Sequence, residues 1–282
     1  MERLPTIPKD IETTVAIALN EDIGSGDITA ALLEETATAH ARVLIREEAI
    51  LCGTAWFDAV FRALDTTISV RWQHRDSDVV AAGATLCTLS GPSRALLTGE
   101  RTALNFLQTL SATATQTQHC IKLLGTSKTR LLDTRKTLPG LRKAQKYAVR
   151  CGGGYNHRMG LFDAVLIKEN HIRAAGSITD AVMNARKMSP GVSVEVEVEN
   201  MAELDEAIAA NVDIAMLDNF SVERMRRAVE RTAGRVALEA SGGVKESQLR
   251  AIATTGVDYV SVGALTKHVQ AIDFSMLFEE LS

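Results

Sequence analysis

The sequence predicts an α/β protein in two unlike parts, an N-terminal α+β open sandwich and a C-terminal α/β barrel of the TIM type, incomplete. Two observations carry this. Six short apolar runs in the second half each end in a charged or glycine-rich cluster: Thr134-Arg135-Lys136, Lys168-Glu169-Asn170-His171, Glu195/Glu197/Glu199, Asp218-Asn219, Ser241-Gly242-Gly243 and Val262-Gly263-Ala264. They recur every 21 to 34 residues, the length of a strand, a helix and two short loops, and strands that deliver functional groups from their C-terminal ends are typical of such barrels. The first 112 residues lack this rhythm. The domains are therefore placed at 1–112 and 113–270, with 271–282 returning to the first.

The elements follow in order. Apolar groups at 11, 15, 18 and 19 have helical spacing, and the glycines of Glu21-Asp22-Ile23-Gly24-Ser25-Gly26-Asp27-Ile28-Thr29 break that helix. Residues 41–53, 66–72 and 85–89 read as strands of a small antiparallel sheet, with a helix at 54–64 and turns at Asp76-Ser77-Asp78 and Ala82-Gly83. Residues 98–124 form one long helix capped by Thr98, with an interruption at Ser111–Thr115. From Leu131 come the six strands, LLDT, AVLIK, VSVEVEVE, IAMLD, VALEA and YVSVG, with helices between Glu199 and Asp213, after the capping Ser221, and over Lys245–Thr254. Their short apolar character predicts a sheet covered on both faces. A seventh strand is sought at 265–275 or in the linker.

Composition excludes several classes. At 46% hydrophobic and 23% charged residues, the 282-residue chain is an ordinary globular protein. No apolar run approaches the ~18 residues that span a bilayer, and the N-terminus has no secretory pattern. A net charge of −4 speaks against nucleic acid. The four cysteines have no metal-ligand spacing and read as reduced cytoplasmic thiols. Charge is segregated: residues 130–173 hold ten Lys/Arg and three Asp/Glu, whereas 192–223 hold nine Asp/Glu and no Lys/Arg. That pattern suits a site for anionic groups, a metal and a phosphate; two helical faces of opposite sign would also produce it.

Each cluster has its own chemistry. Arg135 offers a bidentate fork to carboxylate or phosphate and Lys136 a point charge; Arg135 could instead pair with Asp133. Three glycines at 152–154 suit a loop that approaches a ligand or moves, delivering His157 and Arg158, or a merely flexible loop. Lys168, emerging from an apolar strand, is either an anion ligand or a Schiff-base amine, and its cationic surroundings favour the first. Glu195, Glu197 and Glu199 alternate along one strand and share a face, so they require cations, unless the strand is simply solvated. Glu197 and Asp218, on neighbouring strands, suit Mg²⁺ beside a pyrophosphate. The glycine amides of Ser241-Gly242-Gly243 and Val262-Gly263-Ala264 suit a phosphate.

Taken together, Gly99–Asn105, Leu132–Gly140, Gly152–Arg158, Leu166–His171, Glu195–Val198, Leu217–Phe220 and Ser241–Gly243, with the early Glu21–Thr29 stretch, resemble the quinolinate phosphoribosyltransferase family in its bacterial form, in order and over essentially the whole chain. The resemblance implies phosphoribosyl transfer from 5-phosphoribosyl 1-pyrophosphate to quinolinate with decarboxylation, with Mg²⁺, on the route to NAD. It implies a homodimer in which Arg101 acts in trans. Quinolinate would then meet Arg101, Thr134, Arg135, His157, Arg158 and Lys168, each charge-assisted bond contributing ~1.5–3 kcal/mol. Lys136 would face the pyrophosphate, Glu197 and Asp218 the ribose and metal, and the two glycine loops the 5-phosphate.

Overall fold

The computed structural model describes residues 5–279; the outermost parts of the predicted first and last segments, 1–4 and 280–282, lie outside them. In the first half the elements are α1 (Ile11–Ile23), β1 (Thr38–Ile45), β2 (Ala49–Ile50), α2 (Thr54–Leu64), β3 (Ser69–Trp72), β4 (Val79–Val80), β5 (Thr85–Pro92) and α3 (Ser93–Leu124). Then come β6 (Arg130–Leu132), α4 (Arg142–Cys151), β7 (Val165–Ile167), α5 (Glu169–Ala175), α6 (Ile178–Met188), β8 (Val194–Val198) and α7 (Met201–Ala209). The chain finishes with β9 (Ile214–Asp218), α8 (Val222–Thr232), β10 (Ala237–Ser241), α9 (Glu246–Ala253), β11 (Tyr259–Ser261), α10 (Ala264–Lys267) and β12 (Phe274–Phe278).

Two compact units result. The first runs to Gln118, takes in Leu138–Gly153 and resumes at His268; the second comprises His119–Thr137 and Gly154–Lys267. In the first, β12-β1-β5-β3 form an antiparallel sheet, so the chain's last strand does return to the N-terminal module. β1 alternates exposed and buried residues, and Ala39, Ala41, Val43 and Ile45 enter a core with Trp56, Phe57 and Phe61 of α2. Asp76, 3% exposed, starts α2: its Oδ1 accepts the N–H groups of Gly53 and Thr54 (3.1 Å each) and its Oδ2 the Tyr147 hydroxyl (2.8 Å). The Gly26–Thr29 motif is anchored to α3. Asp27 accepts the N–H of Thr29 and of Ala30 (3.0 and 2.9 Å) and the Thr98 hydroxyl (2.9 Å), bonds that hold its carboxyl below the usual range.

Two expectations for α3 fail. It begins at Ser93, so Thr98 is an internal residue whose hydroxyl serves Asp27, not the helix end. It also continues unbroken through Ser111–Thr115. Hydroxyl groups there break a helix only if they compete for its backbone; here Ser111 Oγ accepts Cys52 N–H (3.0 Å) and donates to Cys52 O (3.1 Å), while Thr115 Oγ1 accepts Ile50 N–H (2.9 Å).

The second unit is a parallel sheet in the order β6-β11-β10-β9-β8-β7. No seventh strand joins it among the described residues: 264–267 is helical, β12 belongs to the other sheet, and 98–124 is all helix. The valines and glutamates of β8 sort onto opposite faces. Val194, Val196 and Val198, each 0% exposed, pack with Leu204, Leu217, Leu238 and Val260, stabilising the unit by about 1.5–3 kcal/mol per side chain. The other face carries charge as well as apolar groups. Pairing of Glu195 with Ile214, of Glu197 and Glu239 with Met216, and of Ser241 with Asp218 puts these residues on one side, where Glu195, Glu239 and Met216 are buried. Ser221 caps α8 through Arg224 N–H as expected, and Asn200 caps α7 through Ala202 and Glu203.

Candidate active site

The polar face and the loops beyond its strand ends gather most of the residues singled out in the sequence. At the end of β6, Asp133 is fully buried and accepts Asn156 Nδ2 (2.5 Å) and His157 N–H (3.0 Å). Leu132 bridges Tyr155 in parallel, with Tyr155 N–H on Leu131 O (2.8 Å) and Asp133 N–H on Tyr155 O (3.1 Å). The segment 154–158 is thus laid along β6 like an added strand. Thr134 Oγ1 accepts Lys136 N–H (3.0 Å), and the Thr266 hydroxyl donates to Lys136 O (2.9 Å), fixing the turn that presents Arg135 and Lys136.

The glycines before this segment do other work than expected. A Cβ on Gly152 would lie 2.3 Å from Ala114 O and 2.8 Å from Thr117 Cβ, and Gly153 has φ +88. The first serves close packing of α4's end on α3 and the second a left-handed turn.

His157 and Arg158 follow. The His157 ring is engaged at both nitrogens: Nδ1 accepts Arg158 N–H (2.7 Å), and Nε2 lies 3.0 Å from Glu195 Oε2 and 3.6 Å from Glu239 Oε2. Arg158 donates to Ala164 O (3.4 Å), and burial, then the neighbouring charge of Arg135, lowers its pKa, opposed by Glu195 and Asp163. Two guanidinium groups near enough to repel one another define a place for an anion. Asp163 shapes the next turn by accepting Met159 and Gly160 N–H (2.6 and 2.9 Å).

On the other flank, Lys168 pairs with Glu197 Oε2. His171 Nδ1 accepts Lys168 N–H (3.0 Å) at the start of α5, and Glu169 pairs with Arg173 (2.5 Å). Asp218 is half-buried; burial, then the charge of Glu197, raises its pKa, while Lys168, Asn219 and Lys136 pull it down. Asn219 Nδ2 donates to Asp218 Oδ2 (2.8 Å). Two neighbouring carboxylates, Glu197 paired with Lys168 and Asp218 near Lys168 and Lys136, make an oxygen donor set that fits a hard divalent cation. Glu199, by contrast, is exposed and its N–H is taken by Glu203 (2.7 Å), so the carboxylates of β8 run from buried to solvated along the strand.

The glycine loops close the arc. Gly242 has φ +94, and a Cβ there would sit 2.4 Å from Asn219 Oδ1 and 2.6 Å from Asn219 N. Gly263 faces Lys136, whose Cδ would lie 3.0 Å from an added Cβ. Ser261 donates to Ser241 Oγ (3.1 Å), tying β10 to β11 beneath the loops. Arg101 is exposed on α3 in the first unit. Sequence reasoning missed Glu239; the signal was a glutamate in the apolar run VALEA, two residues before Ser241 and hence on the same face.

The C-terminal domain model of quinolinate phosphoribosyl transferase matches residues 113–277, and its N-terminal domain model matches 27–111. The chain is 42% identical over 257 residues to a probable carboxylating nicotinate-nucleotide pyrophosphorylase of Bacillus subtilis, covering 91% of this chain and 89% of that one. It is 39% identical over 273 residues to the carboxylating nicotinate-nucleotide pyrophosphorylase of Mycobacterium leprae, covering 93% and 95%. The solved nicotinate-nucleotide pyrophosphorylase from Francisella tularensis superposes with a TM-score of 0.95 at 52% identity, over 99% of this chain and all of that one. With matched models over both parts of the chain and relatives aligned almost end to end, this protein belongs to the quinolinate phosphoribosyltransferase family.

Proposed function

We propose that the protein transfers the phosphoribosyl group of 5-phosphoribosyl 1-pyrophosphate to the ring nitrogen of quinolinate and releases the C2 carboxylate as CO₂, giving nicotinate mononucleotide and pyrophosphate in NAD biosynthesis. The observation that carries this reading is the paired arrangement on one face: Arg135 beside Arg158 on one flank, and Lys136, Lys168, Glu197 and Asp218 on the other. Quinolinate carries two adjacent carboxylates, and two guanidinium groups match them by bidentate forks. Thr134 and Lys168 complete the contacts, with Arg101 contributed by a second copy in a homodimer. His157 acts here through its neighbours, since both ring nitrogens are held within the protein.

The chemistry follows from the charges. The bond from ribose C1 to pyrophosphate breaks with its electrons on the leaving oxygen, and the pyridine nitrogen forms the new bond to C1. Glu197 and Asp218 stabilise positive charge that develops on the ribose, while Lys136 meets the negative charge of the pyrophosphate. Mg²⁺ held by Glu197 and Asp218 supplies further neutralisation of the pyrophosphate when bound. The amides of Ser241-Gly242-Gly243 and Val262-Gly263-Ala264 hold the 5-phosphate. In the ribosylated pyridinium the electrons of the C2–carboxylate bond flow to the ring, CO₂ leaves, and a proton takes its place at C2.

Among the described residues no helix is long and apolar enough to cross a membrane, and all four cysteines are buried free thiols, in keeping with a cytoplasmic enzyme. Isothermal titration checks the dicarboxylate pocket: quinolinate should bind at least about tenfold more tightly than nicotinate, one charge-assisted bond being worth that factor or more. Equal affinities would remove the basis for the assignment.

A further inference from the structure

Behind Arg158 the polar face holds an unusual buried group. Glu195 is 4% exposed and Glu239 0%, yet the neighbours of Glu239 on β10, Leu238 and Ala240, are ordinary core residues. Among the described residues, Glu195 Oε1 and both Glu239 oxygens lack a well-formed hydrogen bond, Glu239 being only near Ser261 and Glu195. Buried carboxylates left this way cost stability on the order of 1–3 kcal/mol each, so a packing role alone does not account for them; Leu or Met would fill the space better.

What they face is His157. Its Nδ1 accepts Arg158 N–H, so the ring proton sits on Nε2 and points at Glu195 Oε2, with Glu239 Oε2 behind it. Two full negative charges so close in a dry interior repel. Burial, then Glu195, pushes the Glu239 pKa up to about 8, with His157 opposing. Glu195 Oε2, the nearer oxygen, is the acceptor that the ring's Nε2–H faces.

We propose that Glu195, backed by Glu239, is a positioning residue for quinolinate: it locks the His157 ring through Nε2, and the ring, through Nδ1, holds the Arg158 backbone near Arg135. A chain of three side chains thereby sets the spacing of the two forks that meet the dicarboxylate. The inference rests on the substrate reading above, but the ring lock is observable without substrate.

The test has two arms. In the first, KM for quinolinate and for the ribosyl donor is measured for Glu195→Leu and Glu195→Gln. The leucine variant should raise KM for quinolinate about tenfold, the equivalent of one charge-assisted hydrogen bond, with KM for the donor within about twofold. Glutamine, which retains an acceptor oxygen, should restore most of the difference. Equal effects on both substrates, or no difference between Leu and Gln, would overturn the proposal. The second arm, independent of turnover and of the leucine variant's folding, reads imidazole ¹⁵N shifts, with His157 assigned through His157→Asn. Wild-type His157 should be a single Nε2–H tautomer, and Glu195→Gln, which keeps an acceptor for Nε2–H, should retain it. An Nδ1–H or averaged ring in the wild type, or a tightly bound divalent metal at one equivalent that Glu239→Leu removes, would refute the hydrogen-bonded lock. A locked ring in a protein that binds no quinolinate would instead place the failure in the substrate reading.

Discussion

Asp133 offers a sharp test of how the site is held. Its carboxylate is fully buried and receives Asn156 Nδ2 at 2.5 Å and His157 N–H at 3.0 Å. Asp133→Ala leaves the part-buried His157 N–H and the Asn156 amide, on an exposed residue, without this acceptor. A hydrogen bond to a charged group is worth roughly 1.5–3 kcal/mol, so the two lost bonds amount to about 4 kcal/mol. At about 3 °C per kcal/mol for a chain of this size, Tm should fall by about 12 °C. Asp133→Asn is the informative partner. Its Oδ1 can still accept His157 N–H, and the Asn156 amide can flip to offer its oxygen to the new NH₂ group, so only the charge is lost. That variant should recover more than half of the deficit. The assay is thermal unfolding by circular dichroism, with KM for quinolinate measured on the folded fraction; the Ala variant should raise it because the 154–158 segment loses its hold on β6. If alanine and asparagine behave alike, or if alanine shifts Tm by less than a degree or so, the anchoring argument is wrong.

Other expectations follow from the same geometry. Arg135→Ala should weaken quinolinate by tenfold or more while leaving the ribosyl donor within about twofold, by titration of each ligand separately; equal losses would contradict the fork assignment. Gly242→Ala brings a Cβ within 2.6 Å of the Asn219 backbone nitrogen at a φ of +94, so it should raise KM for the ribosyl donor and lower Tm, whereas Gly243→Ala, with open space around it, should suffer only from its φ of +59. Because Arg101 is proposed to act in trans, inactive Arg101→Ala and Lys168→Ala subunits should regain part of the activity after verified subunit exchange. Lack of recovery in proven heterodimers would count against a shared site. The raised pKa of Glu239 sets a sign for pH dependence. The native state keeps a proton that the unfolded chain loses near 4.5, so this group's contribution is full below that pH and is lost as pH rises to about 8. Glu239→Gln should therefore gain stability relative to wild type between pH 5 and 8.5, by up to a few kcal/mol, in urea titrations across that range; a pH-independent difference would show that Glu239 ionises normally.

Much of this molecule was legible in the sequence because period and chemistry coincide. β8 reads Val-Glu-Val-Glu-Val, and two-residue alternation alone sends its valines to the core and its glutamates to the other side. The strand ends were found because charged or glycine residues interrupt apolar runs there, and helix starts at Thr54 and Val222 follow from a glycine and a capping serine. The errors have physical causes too. Ser111 and Thr115 looked like a helix interruption, but their hydroxyls are satisfied by Cys52 and Ile50, far away in sequence. Gly152 looked like a ligand loop, yet it is small because Ala114 O lies where a side chain would go. Glu239 was passed over because its local signal is slight, a lone glutamate two residues before Ser241 in a short apolar strand. Only the sheet register reveals that it shares a face with Glu195, Glu197 and Asp218. The gradient along β8, from buried Glu195 to exposed Glu199, likewise depends on tertiary cover that no window of sequence contains.

The most direct test of the central claim is turnover of quinolinate with 5-phosphoribosyl 1-pyrophosphate and Mg²⁺, followed by absorbance and by release of CO₂, with nicotinate run in parallel and chelator as control. The account predicts stoichiometric CO₂ and nicotinate mononucleotide from quinolinate, negligible product from nicotinate, and loss of activity on chelation that added Mg²⁺ restores. Turnover of nicotinate in preference to quinolinate, or product without CO₂, would contradict it.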